Sequence, residues 1–388
     1  MKRLVLLYIF LLSAASGHSR RLPFDGVPVP ALPTDTVTVT VIGDVMMHSA
    51  QIENCHGRYA EMHGTADPDS SGHYDYSPCF REIRDMLVDA DICIANMEFT
   101  LAGAPYSGYP AFCAPESFAD HVADCGVDVF LTANNHIFDK GEPGARRTLG
   151  IYRRMQERGI GDTGCYTDSL HMSHAYPLIV EKDGIRIALV NFTYGTNVGH
   201  GKEFPKVSVM DREEIAAAMQ TARDSADIII ALPHWGTEYA LKHSAEQAKM
   251  AEFLVRRGAD AVIGSHPHVV QDIDSLKALS GDYVPVVYSL GNIISNMSAP
   301  NTRIGLMATL PVIRYTDGST SIGKISYTFT WCTLPGRLED SHMTIPVERF
   351  KGRRELWSIP SDYDNMVDTY NRILESSGIK GNEKDNNS

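Results

Sequence analysis

Residues 228–268 read IIIALPHWGTEYALKHSAEQAKMAEFLVRRGADAVIGSHPH, and this stretch sets the class of fold. Ile228 to Leu232 is a short β-branched run that predicts a strand. Ala245 to Arg257 predicts a helix, and Asp260 to Ile263 a second strand. Each strand runs directly into side chains able to bind a cation: His234 and Glu238 after the first, His266 and His268 after the second.

The same alternation extends outward. Val37 to Ile42, Asp91 to Asn96 and Val127 to Thr132 predict strands. Phe80 to Val88, Pro115 to Asp124 and Gly144 to Arg158 predict helices, the second opened by Pro115 and stopped at Gly126. Leu178 to Glu181 and Ile185 to Phe192 flank Asp183-Gly184, a hairpin signal. Glu213 to Ser225 is a further helix, and Val284 to Leu290, Ile304 to Ile313 and Ile322 to Thr330 are further strands. Residues 53–77, rich in Gly, His, Asp, Ser and Tyr, read as a loop or inserted excursion. The pattern is that of an α/β chain with a mixed sheet, or with two sheets packed together and helices outside. In such folds function collects at the strand ends.

The 388 residues are 43% apolar and 21% charged, an ordinary globular composition with room for a large core. Lys and Arg number 35 against 48 Asp and Glu, a net charge of −13, which excludes nonspecific nucleic-acid binding through a basic surface. Lys2 and Arg3, the apolar run Leu4 to Leu12 and the small residues to Gly17 predict a signal peptide over 1–17 and an exported protein, periplasmic or at the cell surface. The run is shorter than the roughly 20 residues that span a bilayer. Cleavage removes two positive charges from the −13, leaving −15. Residues 18–35 are a Pro-rich linker and 378–388 a polar, disordered tail.

All seven cysteines follow the leader, and no CxxC pair suggests a zinc ribbon or a thioredoxin-like motif. Cys93 and Cys125 read as buried apolar residues, and Cys55 and Cys79 as a disulfide across the polar excursion.

Five strand ends carry metal-binding side chains: Gly43-Asp44 with His48; Asn96-Met97-Glu98; Asn134-Asn135-His136 with Asp139; His234 to Glu238; and Gly264 to His268. A sixth, Ser289-Leu290-Gly291-Asn292, offers only an amide. Singly each has an ordinary reading: Asp44 as a helix cap, His234 as a hydrogen-bonded core histidine. Together, carboxylate, amide oxygen and imidazole form a donor set suited to Mn, Fe or Zn, and the lack of thiolates argues against a structural Cys-rich zinc site.

This order of motifs resembles the calcineurin-like metallophosphoesterase superfamily and, more closely, the CapA family of capsule or poly-γ-glutamate biosynthesis proteins. The resemblance runs from about Thr36 to Pro311. It rests on Thr132-Ala133-Asn134-Asn135-His136 with Phe138-Asp139-Lys140-Gly141, on His234-Trp235-Gly236-Thr237-Glu238, on Gly264 through Gln271, and on Tyr288 through Asn292. It implies a four-layer α-β-β-α sandwich of the metallophosphoesterase type over residues 36–335, with 336–377 as an extension packed on or beside it. It also implies one or two divalent ions. Asp44, Glu98 and His268 match ligands of one; Glu98, Asn135, His234 and His266 match ligands of the other. His136 matches the general acid, with Asp139 placed to orient it, and Glu238 and Asn292 would support ligands or substrate. The superfamily's first motif is Asp-x-His, but here it reads Asp44-Val45-Met46, and His48 is the candidate replacement.

The function this implies is metal-dependent hydrolysis of a phosphoester in the assembly of an anionic envelope polymer. The alternative is a non-catalytic metal-binding scaffold that holds the polymer or a membrane synthase partner, which the altered first motif favours. Nucleotidase activity is a third reading, weakened because no large nucleoside-binding domain follows residue 330. The acidic charge opposes a polyanion except near the metals or a basic patch, for which Arg146, Arg147, Arg153 and Arg154 are candidates.

Overall fold

The computed structural model describes residues 31–379; the expected signal peptide, most of the linker and the tail from 380 lie outside them. Two sheets face each other. The larger has nine strands. Pro33–Val45 pairs in parallel with Ile92–Met97, which is followed by Val129–Leu131 and Gly161–Thr163. On its other side Pro33–Val45 pairs antiparallel with Ile304–Tyr315, then come Ser326–Thr333 and Met343–Pro346. Asn292–Ile294 joins the carboxyl end of Pro33–Val45 in parallel. The six-stranded sheet has the order Ile273–Lys277, Tyr283–Val287, Ala261–Ile263, Ile228–His234, Ile185–Thr193, Leu178–Lys182.

Side-chain alternation builds the layers. Val37, Val39, Val41, Ile92 and Ile94 point from the first sheet onto Ile187, Leu189, Ile228, Ile230 and Leu232 of the second, forming a core between them. The alternate residues Cys93, Ala95, Met97 and Phe130 face outward onto helices Ser49–His63, Glu116–Asp124 and Gly141–Met155. Ala188, Val190, Ile229 and Ala231 face helices Arg212–Ser225 and Ala245–Arg256. The result is the expected four-layer α-β-β-α sandwich. A one-residue slip would reverse the faces of a whole strand, so the two-sided core fixes register.

Register is also set at the strand entries. Asp91, Asp128, Asp227 and Asp260 each precede a parallel strand and accept the backbone N–H of Thr38, Cys93, Arg186 and Ile229 on the neighbouring strand, at 2.7–2.9 Å. At the opposite, carboxyl ends the backbones converge. A Cβ on Gly43 would lie 1.9 Å from the Gly291 carbonyl oxygen, and one on Gly264 2.2 Å from that of Tyr288. Only glycine allows these approaches. They bring the chain just before Asp44 and His266 against the strand-end turn at 288–292.

Several expectations are corrected. The first part of the expected loop or excursion over 53–77 is helical, belonging to helix Ser49–His63; Gln51 closes a capping box on His48, and Gly64 ends the helix in the left-handed region. Its buried face is only Gln51, Ile52 and Cys55, too sparse to signal a helix. The cysteines are free and buried, so the expected Cys55–Cys79 disulfide is absent. The two thiols do meet, because the helix carries Cys55 inward; contact with Cys55 and burial push Cys79 well above the usual thiol range. The expected helix from Phe80 is helical only over Arg84–Val88. Helix Pro360–Ser377 places Met366, Tyr370 and Ile373 in the inter-sheet core beside Phe329 and Trp331, and Asp362 accepts a bidentate pair from Arg303 at 2.6 and 2.8 Å. Among the described residues no helix is long and apolar enough to cross a membrane.

Candidate metal centre

The carboxyl ends of the parallel strands of both sheets meet at one point. The first sheet brings Asp44, Asn96, Glu98, Asn135 and His136; the second brings His234, His266 and His268; all are buried. Glu98 Oε1 lies 3.7 Å from His234 Nε2, 3.7 Å from His268 Nε2 and 3.9 Å from His136 Nε2. It has no hydrogen-bond partner, and neither has His266 Nδ1. Asn135 Oδ1 is 2.8 Å from His234 Nε2. His268 Nδ1 faces two acceptors, Asn292 Oδ1 at 3.0 Å and Asp44 Oδ2 at 3.4 Å. Nδ1 therefore carries a proton, and Nε2 faces Glu98. Positive φ values of 99° at His266 and 58° at His268 show backbone strain held at the cluster.

Three groups of donors each gather within 4.8 Å: Glu98, His234 and His266; Asp44, Glu98 and His268; and Glu238, His266 and His268. Glu98 belongs to the first two, the position of a shared carboxylate. Burial, then the Asp44 charge, pushes the Glu98 carboxyl well above its usual range. Burial and neighbouring imidazoles pull His234 well down and His266 to about 3. Burial also opposes charge on His268, but Asp44 outweighs it and raises that ring. An orphaned carboxylate oxygen beside the imidazoles of His234 and His266, which burial holds neutral, is what a divalent cation satisfies, so the residues fit such an ion.

His136 stands on the wall. Its Nδ1 is 2.6 Å from Asp139 Oδ2, which also accepts the Phe112 N–H at 2.8 Å. Asn292 holds His268 as described and donates to the Thr302 carbonyl. Glu238 is exposed at the rim. His48 lines the cavity but joins none of the three groups; its Nδ1 is 3.1 Å from Gln51 Oε1 and 3.2 Å from the Asn296 backbone N. Burial pulls His48 down to about 4. None of Arg146, Arg147, Arg153 and Arg154 lines the cavity; Arg146 pairs with Glu142 and Arg147 with Glu116.

Several contributors have no assigned role in the sequence reading. Asn96 Nδ2 donates to Asp44 Oδ1 at 2.7 Å and Glu98 Oε2 at 3.2 Å. A polar amide inside the apolar strand Ile92–Met97 was the available signal. Ser265 Oγ lies 3.0 Å from His234 Nδ1. Asn197 donates its backbone N–H to the Asn135 carbonyl at 2.9 Å, and Tyr194 packs on His266 at 4.5 Å between ring centroids. These last two come from a loop with no local motif.

A family model described as bacterial capsule synthesis protein PGA_cap matches residues 38–297. The capsule biosynthesis protein CapA of Bacillus anthracis is 27% identical over 290 residues, covering 71% of this chain and 64% of that protein. The PGA biosynthesis protein CapA of Bacillus subtilis is 30% identical over 182 residues, covering 46% of each. The aligned part thus spans less than two thirds of either relative. Among solved structures, a putative 5′-nucleotidase from Staphylococcus aureus superposes with a TM-score of 0.44 at 13% identity, covering 85% of this chain and 58% of that one. A 5′-nucleotidase from Candida albicans gives 0.42 at 10% identity, covering 90% and 60%.

Proposed function

The chain belongs to the bacterial capsule synthesis protein family PGA_cap, and from that premise we propose that it is an exported, divalent-metal-dependent phosphoester hydrolase in the assembly of an anionic envelope polymer. The observation that carries this reading is the buried, partnerless Glu98 Oε1 set among the imidazoles of His234, His268 and His136. Asp44, Glu98 and His268 would hold one ion; Glu98, Asn135, His234 and His266 a second. Ions held there supply charge neutralisation for a phosphoryl group and an activated water at neutral pH.

The remaining work falls to side chains. Asp139 accepts the Nδ1 proton of His136 and fixes the ring, so a protonated His136 turns Nε2–H to the cavity and can pass that proton to a leaving oxygen. Phe112 packs edge-on against His136 at 4.7 Å and keeps water from that side of the ring. Asn96, Ser265 and Asn292 hold the ligand side chains in place through the contacts given above.

The test is metal content together with hydrolysis of bis(p-nitrophenyl) phosphate by purified chain. The reading expects one or two ions per chain and turnover that falls about 10²- to 10⁴-fold in His136→Ala with metal content unchanged. Bound metal without turnover would favour the second reading, a metal-holding scaffold for the polymer or a synthase. That alternative is supported by His48 standing outside the donor groups where a histidine ligand is expected. Export is tested separately: mass spectrometry of the protein from its native compartment should find the N-terminus near His18, and a retained Met1 would overturn it.

A further inference from the structure

The cavity over the metal ligands has a volume of about 530 Å³. Two aromatic side chains stand at its mouth with their surfaces unused. Tyr109 is 77% exposed and Tyr239 44% exposed. Tyr109 meets Phe112 only edge-on at 6.4 Å between centroids, and Tyr239 lies 6.4 Å from His268. Tyr194, as exposed as Tyr239, spends its face on His266.

Both free tyrosines sit on anchored backbone. Tyr239 donates its N–H to the Pro267 carbonyl at 2.8 Å, inside the His266–His268 turn. Tyr109 lies between Gly108, whose N–H is held by Ser49 Oγ at 3.1 Å, and Phe112, whose N–H is held by Asp139. A Cβ on Gly108 would lie 2.3 Å from the Ser49 backbone nitrogen, so this loop is pressed onto the start of the helix at 49. The rings are therefore presented from fixed points that also hold the site together.

Charge gives the second constraint. Among the described residues no Lys or Arg lines the cavity, and the charged side chain at its mouth is Glu238. A carboxylate on the unit beside the phosphoryl would meet Glu238 with no Lys or Arg side chain to offset it, and only an ion held at the ligands could do so. Aromatic faces beside an acceptor instead suit an uncharged ring that offers hydroxyl or N–H donors.

Resting on the phosphoester reading, we propose that the group next to the scissile phosphoryl is an uncharged ring that stacks on Tyr109 and Tyr239 and donates hydrogen bonds to Glu238. The ring is either a sugar or a nucleobase; both offer a stackable face and peripheral donors.

Calorimetric titration of the manganese-loaded full chain tests this with four non-hydrolysable ligands: methylphosphonate, a glucosyl phosphonate, a nucleoside phosphonate, and a γ-glutamyl oligomer ending in a phosphonate. One of the two ring ligands should bind about tenfold or more tightly than methylphosphonate. That gain should vanish in the double variant Tyr109→Ala, Tyr239→Ala and persist in Tyr109→Phe, Tyr239→Phe. Which ring gains identifies the source. The proposal fails if the γ-glutamyl ligand binds as tightly as the better ring ligand, if neither ring outdoes methylphosphonate, or if the gain survives in the alanine pair. If methylphosphonate and every other ligand fail to bind protein shown to hold manganese, the phosphoester reading falls and takes this one with it.

Discussion

Asn96 joins the two halves of the candidate metal cluster through one amide nitrogen, shared between Asp44 and Glu98 and 3.2 Å from His234 Nδ1. Without it two buried carboxylates lose a common donor, and the cost falls on ligand alignment. Asn96→Ala should lower affinity for Mn²⁺ about 10- to 100-fold, read by competition with a chromophoric chelator; unchanged affinity would remove Asn96 from the centre. His234→Ala should instead empty one metal position. His48→Ala should leave metal content as in the parent, because His48 joins no donor group; a drop of one ion per chain would show that its ring swings in to complete the Asp44 site. Much of this was legible because strand-end motifs keep their ligands within a few residues of a strand. Asn197, Tyr194 and Phe112 were not, since each reaches the centre from a loop that only tertiary packing brings there.

Four parallel strands enter the sheets in the same way, each behind an Asp that accepts a neighbouring strand's N–H. This repeated device was open to a reader of the sequence, as Ala90-Asp91, Val127-Asp128, Ala226-Asp227 and Ala259-Asp260, and it marks the strand starts that apolar runs alone leave loose. The helix at 49–63 was hidden for the opposite reason: it buries little, so its pattern is mostly polar. One of the entry carboxyls carries a measurable cost. Burial pushes Asp260 up to about 6, although the Ile229 N–H pulls the other way. Below the unfolded value of about 3.9 both states hold the proton. As pH rises from there to about 6 the unfolded chain releases its proton first, so stability falls, by an amount on the order of 3 kcal/mol. Asp260→Asn keeps the acceptor and removes the charge. The variant should match the parent in denaturant unfolding at pH 4 and exceed it at pH 8; an equal difference at both pH values would show that ionisation is not the cause.

Across the whole molecule, the candidate metal centre exists only where the two sheets meet. Asp44, Glu98 and Asn135 come from the first sheet, and His234, His266 and His268 from the second. The sheets are held by an apolar core in which Val39, Val41 and Ile94 pack with Leu189, Ile230 and Leu232. Each such side chain is worth about 1.5–3 kcal/mol when fully buried. Docking therefore does not need the ion, but it assembles the ligands, and an ion bound there bridges the interface. The unfolded chain offers no such set, so metal binding adds directly to folding stability. At a free concentration one hundred times Kd the gain is about 2.7 kcal/mol, enough to move Tm by a few degrees in a chain of this size. Thermal melts of the full chain should rise on adding Mn²⁺ and return to baseline with chelator. In His234→Ala the rise should shrink, because the ion shared by Glu98 and His266 loses a ligand from the second sheet. Leu189→Ala, far from the ligands along its strand, should instead lower Tm equally with and without metal. If chelator leaves the parent's Tm untouched while metal is shown to bind, the ion does not tie the sheets together, and the centre forms on one sheet alone.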